Sequence, residues 1–320
     1  MGENINKLRI VFLGTPEFAA TCLETILEGR HEVVGVVTAP DRESGRGRKI
    51  TQSPVKTIAL ERGLPIAQPE RLRDTDFLST LKSWNADLGV VVAFRMLPEM
   101  VWASPKLGTI NLHASLLPQF RGAAPIQRAI MAGATETGAT TFLLSNKIDT
   151  GDVLDQTTLQ IGPNEDAGSL HDRILSTGKK LLASSIDKLA DGVYTPIAQG
   201  KLSNDTSLLQ EAPKIFKVDR LIDWKKDAGT VYNQIRGLSP YPCAFTNVVG
   251  TTKSPMKILE GSIISESQLE PGQIEITDFK MYVGTGTFNM EIHKLQAAGK
   301  GKMDASSFLR GLKNELQGFN

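Results

Sequence analysis

The sequence predicts an α/β protein: a doubly wound, mostly parallel sheet with helices on both faces, followed by a second, smaller β-barrel domain. Three observations carry this. The first half alternates short β-branched apolar runs with longer amphipathic stretches, the pattern of strands buried on both faces between crossover helices. The last third breaks into short strand-like segments between glycines and prolines, as small barrels and sandwiches do. The length of 320 residues fits about two domains of ordinary size.

The first strand, over 8–13, stops at Gly14, and Thr15-Pro16-Glu17 supplies a cap, a first-turn proline and a first-turn acid for a helix running to about Glu28. Further strands fit 33–37, 88–93, 108–112 and 139–144, with a helix over 126–132 between the last two. This β-α-β order predicts right-handed crossovers. A long helix over 169–189 covers the sheet. The polar stretch at 199–214 reads as a linker, placing the domains at 1–206 and 207–320. Beyond it come a helix over 228–236 and strands over 245–249, 256–259, 273–276, 280–283 and 288–295.

Composition excludes several classes. Lys and Arg number 36 against 35 Asp and Glu, a net charge of +1, so the total demands no polyanionic partner and any nucleic-acid contact is local. Before the domain cut 22 basic residues face 23 acidic ones, and after it 14 face 12, too even a split to mark one domain as a nucleic-acid platform. Cys22 and Cys243 are far apart, and the four histidines have no ligand spacing, so no metal centre is expected. With no secretory leader or long apolar run in view, the expected setting is the cytoplasm. Gly14 stands alone where G-x-G-x-x-G would be needed, and no Walker loop is present, which argues against NAD and ATP.

Ligands of such sheets bind beyond the carboxyl ends of the strands. There the densest cluster is Asn111-Leu112-His113-Ala114-Ser115-Leu116-Leu117-Pro118, running on to Arg121-Gly122-Ala123-Ala124-Pro125. Strand alternation puts Asn111 and His113 on one side. Asp149, in Asp149-Thr150-Gly151-Asp152, follows the next strand, and neighbouring strands should bring it to His113 and raise the imidazole pKa. Nothing resembles an activated nucleophile: Ser115 lacks an elbow context and Cys22 falls in a helix. The trio therefore suits direct acyl transfer through a tetrahedral intermediate. Asn111 and His113 would donate to the oxyanion, while Asp149 keeps His113 charged and helps deprotonate an attacking amine.

These motifs resemble the folate-dependent formyltransferases, as do Gly14-Thr15-Pro16-Glu17-Phe18-Ala19, Pro40-Asp41-Arg42, Gly45-Arg46-Gly47, Pro54-Val55-Lys56, Ile222-Asp223-Trp224 and Ile235-Arg236. The resemblance spans most of the chain. It implies a Rossmann-like catalytic domain and an OB-like second domain. It also implies 10-formyltetrahydrofolate as donor, the α-amino group of methionine on initiator tRNA as acceptor, and a monomer. Asn111, His113 and Asp149 match the family's catalytic trio, and Ser115, Leu116, Leu117 and Pro118 its folate-binding turn.

Residues 41–49 carry Arg42, Arg46, Arg48 and Lys49 among glycines; by composition this is a solvated loop, and by resemblance it grips the tRNA acceptor stem. Three departures stand out, one being that the C-terminal domain, at +2, is less basic than a tRNA platform would be. Arg95 replaces a usual glycine beside the folate pocket, and Cys243 replaces a glycine in a proline-rich turn. A formyltransferase acting on a small amine, such as an amino-sugar nucleotide, keeps the trio and needs no basic loop. A non-catalytic nucleic-acid-binding module would not need the trio.

Overall fold

The computed structural model describes residues 7–44, 49–202, 206–249, 255–265, 269–312 and 316–320. It divides into two compact units, one made of residues 1–121, 138–159 and 173–210, the other of 122–137, 160–172 and 211–320.

The chain begins with β1 (Arg9–Gly14), α1 (Glu17–Leu27), β2 (Glu32–Val37), the short β3 (Arg42–Ser44) and β4 (Lys49–Thr51), α2 (Pro54–Glu61) and β5 (Ile66–Ala67). Next come α3 (Thr75–Ser83), β6 (Leu88–Val92), α4 (Glu99–Trp102), β7 (Thr109–His113), α5 (Pro125–Met131), β8 (Glu136–Leu143), β9 (Val153–Gln160) and α6 (Ala167–Ala190). Seven strands form one sheet in the order β5-β2-β1-β6-β7-β8-β9. The apolar runs are its centre: Ile10, Phe12, Leu88, Val90 and Ile110 are fully buried.

From β5 to β7 the sheet is parallel, as the apolar runs predict for β1, β2, β6 and β7; the two-residue β5 is not among the expected strands. The step from β7 to β8 differs. The two strands are antiparallel, with Ile110 opposite Leu143 and His113 opposite Thr140, so the expected crossover there is not made. The helix between them, α5, belongs to the second unit.

The basic segment is more ordered at its base than a solvated loop. β3 and β4 pair as a hairpin, Arg42 opposite Thr51 and Ser44 opposite Lys49. Asp41, immediately before it, accepts from Lys56 Nζ at 2.5 Å and from Gln68 Nε2 at 2.8 Å. Arg42 is exposed, while Arg46 and Arg48 lie outside the described residues, as does the side chain of Lys49.

In the second unit α7 (Ala228–Gly237), β10 (Ala244–Thr246), β11 (Met256–Ile264), β12 (Ile274–Thr277), β13 (Lys280–Gly284), β14 (Asn289–Gln296), β15 (Met303–Asp304) and α8 (Ala305–Arg310) follow in order. The strands make a separate antiparallel sheet, ordered β10-β11-β14-β13-β12 with β15 on β14. Its core holds Trp224, Ile258, Met281, Met290 and Leu295, and Trp224 stacks on Phe319 at 5.8 Å while its indole N–H donates to Thr246 Oγ1. Cys243, in the turn before β10, has φ +70°, the left-handed conformation that glycine adopts without strain.

The polar stretch at 199–214 is not a free linker. Gln199 is buried, the Phe120 N–H donates to the Gln210 carbonyl at 2.7 Å, and the Ala124 N–H donates to the Ala212 carbonyl at 3.1 Å.

Candidate active site

Asn111 and His113 share one side of β7 near its carboxyl end, as alternation requires. His113 is buried and Asn111 half-buried. The Asn111 carboxamide makes no hydrogen bond with any described residue, leaving donor and acceptor open. The His113 ring packs edge-on against Phe142 with centroids 6.5 Å apart, and its Nε2–H donates to the Phe120 carbonyl at 2.8 Å. A carbonyl only accepts, so Nε2 carries the proton. In the neutral ring Nδ1 is therefore the free base.

Nδ1 lies 3.8 Å from Asp149 Oδ2. The two residues meet, though not by the route the strand order suggests. Because β8 runs antiparallel, its end lies opposite Ile110, three residues short of His113, or about 10 Å along a strand. The loop after β8 must turn back to carry Asp149 to the ring. Asp149 does so at φ +52°, in the left-handed region that is costly for a residue with a Cβ. Gly151 is needed in the same loop, because a Cβ there would sit 1.7 Å from the Leu143 carbonyl oxygen.

Asp149 acts on His113 in the expected direction, but burial acts against it. Burial of the ring, the strongest influence, lowers its pKa below the ordinary histidine value; Asp149 and the Phe120 carbonyl push it up, and Arg121 pushes it down. Desolvation of the cation outweighs one carboxylate at 3.8 Å, so the balance shifts toward the neutral imidazole.

The Ser115-to-Pro118 turn is locked from below. The Ser115 hydroxyl donates to the Gln119 carbonyl at 2.6 Å. Thr140 Oγ1 donates to the Ser115 carbonyl at 2.6 Å and accepts from the Leu117 N–H at 3.1 Å and Gln156 Nε2 at 2.9 Å. Ser115, Leu117 and Pro118 are buried, and Leu116 is half-exposed. Beyond the end of β6, Arg71, Leu72, Arg73, Arg95, Met96, Leu97 and Pro98 line a surface cavity of about 380 Å³. The Arg95 guanidinium donates to the carbonyls of Pro69 and Glu70 and makes no ion pair with a carboxylate among the described residues. No group of three His, Cys, Asp or Glu with metal-holding geometry occurs among the described residues.

Sequence reasoning missed Gln199. It lies in a stretch whose polarity and turn residues read as a linker, and only its burial, 3% exposed, marks it out.

Residues 8–186 match the family model of formyl transferases, and residues 214–313 match the model of the formyl transferase C-terminal domain. The methionyl-tRNA formyltransferase of Bacteroides thetaiotaomicron is 46% identical over 310 residues, covering 96% of this chain and 96% of its own. That of Bacteroides fragilis is 44% identical over 309 residues, covering 95% of each. Among solved structures, the sugar 3N-formyl transferase WlaRD, determined in the presence of dTDP and 5-N-formyl-THF, superposes with a TM-score of 0.65 at 19% identity over 92% of this chain and 99% of its own. HypX from Aquifex aeolicus, in complex with tetrahydrofolic acid, superposes with a TM-score of 0.64 at 18% identity, covering 98% of this chain, which spans 50% of HypX. At such identities these two structures speak for the fold alone. The chain belongs to the formyl transferase family and carries both its N-terminal and its C-terminal domain.

Proposed function

We propose that this enzyme transfers the formyl group of 10-formyltetrahydrofolate to the α-amino group of methionyl initiator tRNA. The observation that carries this reading is a buried histidine whose Nδ1 lies 3.8 Å from Asp149 Oδ2, in a chain that matches methionyl-tRNA formyltransferases along almost its whole length. The folate supplies the activated formyl carbon and a leaving nitrogen.

The chain's own residues supply proton transfer and charge stabilisation. Asn111, with its amide N–H open, donates to the oxyanion that develops as the amine attacks. The free Nδ1 of His113 takes the proton released by the amine. Asp149 then faces an imidazolium instead of a lone pair, so its attraction is felt only once charge has moved, which is differential stabilisation of the transition state. The ring returns that proton to the leaving nitrogen as the carbon–nitrogen bond to folate breaks. His113 thus begins as a base and ends as an acid.

Ser115, Leu116, Leu117 and Pro118 form the wall of the folate site, with Leu116 as its accessible side chain. The cavity with Arg71, Arg73 and Arg95 suits the carboxylates at the tail of a folate, and Arg95→Gly is expected to raise the KM for folate. Arg42, Arg46, Arg48 and Lys49 bind tRNA phosphates, with Asp41, Lys56 and Gln68 anchoring the base of the hairpin. Residues 1–206 are the catalytic domain, and 207–320 assist tRNA binding as an OB-like domain. The natural setting is the cytoplasm, where initiator tRNA is charged.

The test offers 10-formyltetrahydrofolate with methionyl initiator tRNA, methionyl elongator tRNA or an amino-sugar nucleotide, and follows formylated product. Formylation of the initiator tRNA alone supports the reading. Formylation of the sugar nucleotide alone would move the assignment to a small-amine formyltransferase.

A further inference from the structure

The geometry points to Gln199 as the positioning residue that holds Asp149 over His113. The proposal rests on the assignment of Asp149 and His113 above and identifies what sets the distance between them. The loop after β8 leaves the sheet opposite Ile110 yet brings Asp149 Oδ2 to 3.8 Å from His113 Nδ1, with Asp149 at φ +52°. A loop that doubles back through an unfavourable backbone conformation keeps it only where its surroundings fix it.

Gln199 does the fixing. Its Nε2 donates to the Asp149 carbonyl at 2.9 Å and to the Gly151 carbonyl at 2.8 Å. Its Oε1 accepts from Arg121 Nε at 3.0 Å and Nη2 at 2.6 Å. The orientation of the amide is thereby forced, since a flip would face donors with donors and carbonyls with a carbonyl. Arg121 follows Phe120, whose carbonyl receives the His113 Nε2–H at 2.8 Å. One buried amide therefore ties the segment that holds one ring nitrogen to the segment that faces the other. The side chain touches neither the imidazole nor the reacting atoms; it acts through Asp149. Glutamate would turn an oxygen on the two carbonyls, and leucine would leave both of them and Arg121 without their partner.

The test is a double-mutant cycle on full-length protein. Gln199→Leu alone is expected to lower kcat 10- to 100-fold with the KM for 10-formyltetrahydrofolate within threefold of wild type. In an Asp149→Asn background the same change should cost less than threefold, because the group it positions no longer carries charge. An equal fold-loss in both backgrounds would overturn the proposal. A second readout needs no substrate. The charged groups facing His113 are Asp149, which raises its pKa, and Arg121, which lowers it less. Gln199→Leu should move the His113 titration, followed by NMR of the unliganded protein, to lower pH, and leave it unmoved once Asp149 is Asn. A His113 titration unmoved in Gln199→Leu refutes the positioning role, whatever amine the enzyme formylates. Absence of turnover on methionyl-tRNA with a shifted titration would refute the acceptor assignment and leave the positioning role standing. Gln199→Met, closer in shape, repeats both readouts if the leucine variant does not fold.

Discussion

Replacing Asp149 with Asn removes one charge and almost no volume, so its effect can be worked from the structure. At the 3.8 Å between Nδ1 and Oδ2, two unit charges attract by about 4 kcal/mol at an effective dielectric of about 20. Side-chain exposures of 7% for His113 and 13% for Asp149 keep water from screening much of this. The imidazolium is only partly formed in the transition state, so about 2–3 kcal/mol should be lost, a fall of roughly 30- to 150-fold in kcat at about 1.36 kcal/mol per factor of ten. Single-turnover formylation at saturating folate and tRNA reads this step directly. The pH profile carries a second signature. A base must be unprotonated, so turnover falls as pH drops through the pKa of His113, which burial places below the ordinary histidine value. Losing the carboxylate removes an influence that favours the cation, so the acid limb of Asp149→Asn should lie at still lower pH. A kcat within threefold of wild type, or an acid limb moved upward, would refute the electrostatic argument.

Three further predictions concern the frame around the site. Thr140→Val removes a hydroxyl that donates to one buried partner and accepts from two; it should cost about 2 kcal/mol of stability and raise the KM for folate, by urea melts and steady-state kinetics. His31 accepts the Leu8 N–H on Nδ1 and donates from Nε2 to Asp187, and burial lowers its pKa. The unfolded chain therefore binds the proton first, and stability is lost as pH falls below about 6.5, the unfolded value. Urea midpoints at pH 8 and pH 5.5 should differ more for wild type than for His31→Gln. At Cys243, with φ +70°, Gly should exceed Ala in stability by about 0.5–1 kcal/mol, reversing the ordinary order; thermal melts of the two variants decide it.

What the sequence made legible follows from which signals are local. β-branched runs ending in polar residues mark buried parallel strands and their ligand edge, so β1, β2, β6 and β7 and the positions of Asn111 and His113 could be read directly, whereas the two-residue β5 has no such run. The partnership of Asp149 with His113 was reachable from spacing, but its route was not. The direction of β8 depends on a reversal that no residue near 114–135 spells out, and a loop returning over a strand has no periodicity. The pull of burial on His113 was hidden for a related reason: a carboxylate is visible in a sequence, whereas the desolvation that opposes it exists only after folding. Gln199 was hidden by its company, a polar residue among turn formers whose value lies entirely in burial. Cys243 illustrates the opposite case, where a departure from the family's glycine, visible in the sequence, falls on a left-handed backbone position. For the basic segment, the hairpin pairing and its Asp41 anchor add order to a stretch that composition alone describes as a loop. Arg46 and Arg48, outside the described residues, stay with the proposal made for Arg42.

The measurement that tests the central claim most directly is single-turnover formylation of methionyl initiator tRNA by wild type and by His113→Ala, with tRNA and folate affinities measured separately. General acid–base catalysis of this kind contributes roughly 10²- to 10⁴-fold. The account predicts a loss in that range with both affinities and the melting temperature close to wild type. A variant that formylates at the wild-type rate would show that the proton is handled elsewhere and would contradict the account.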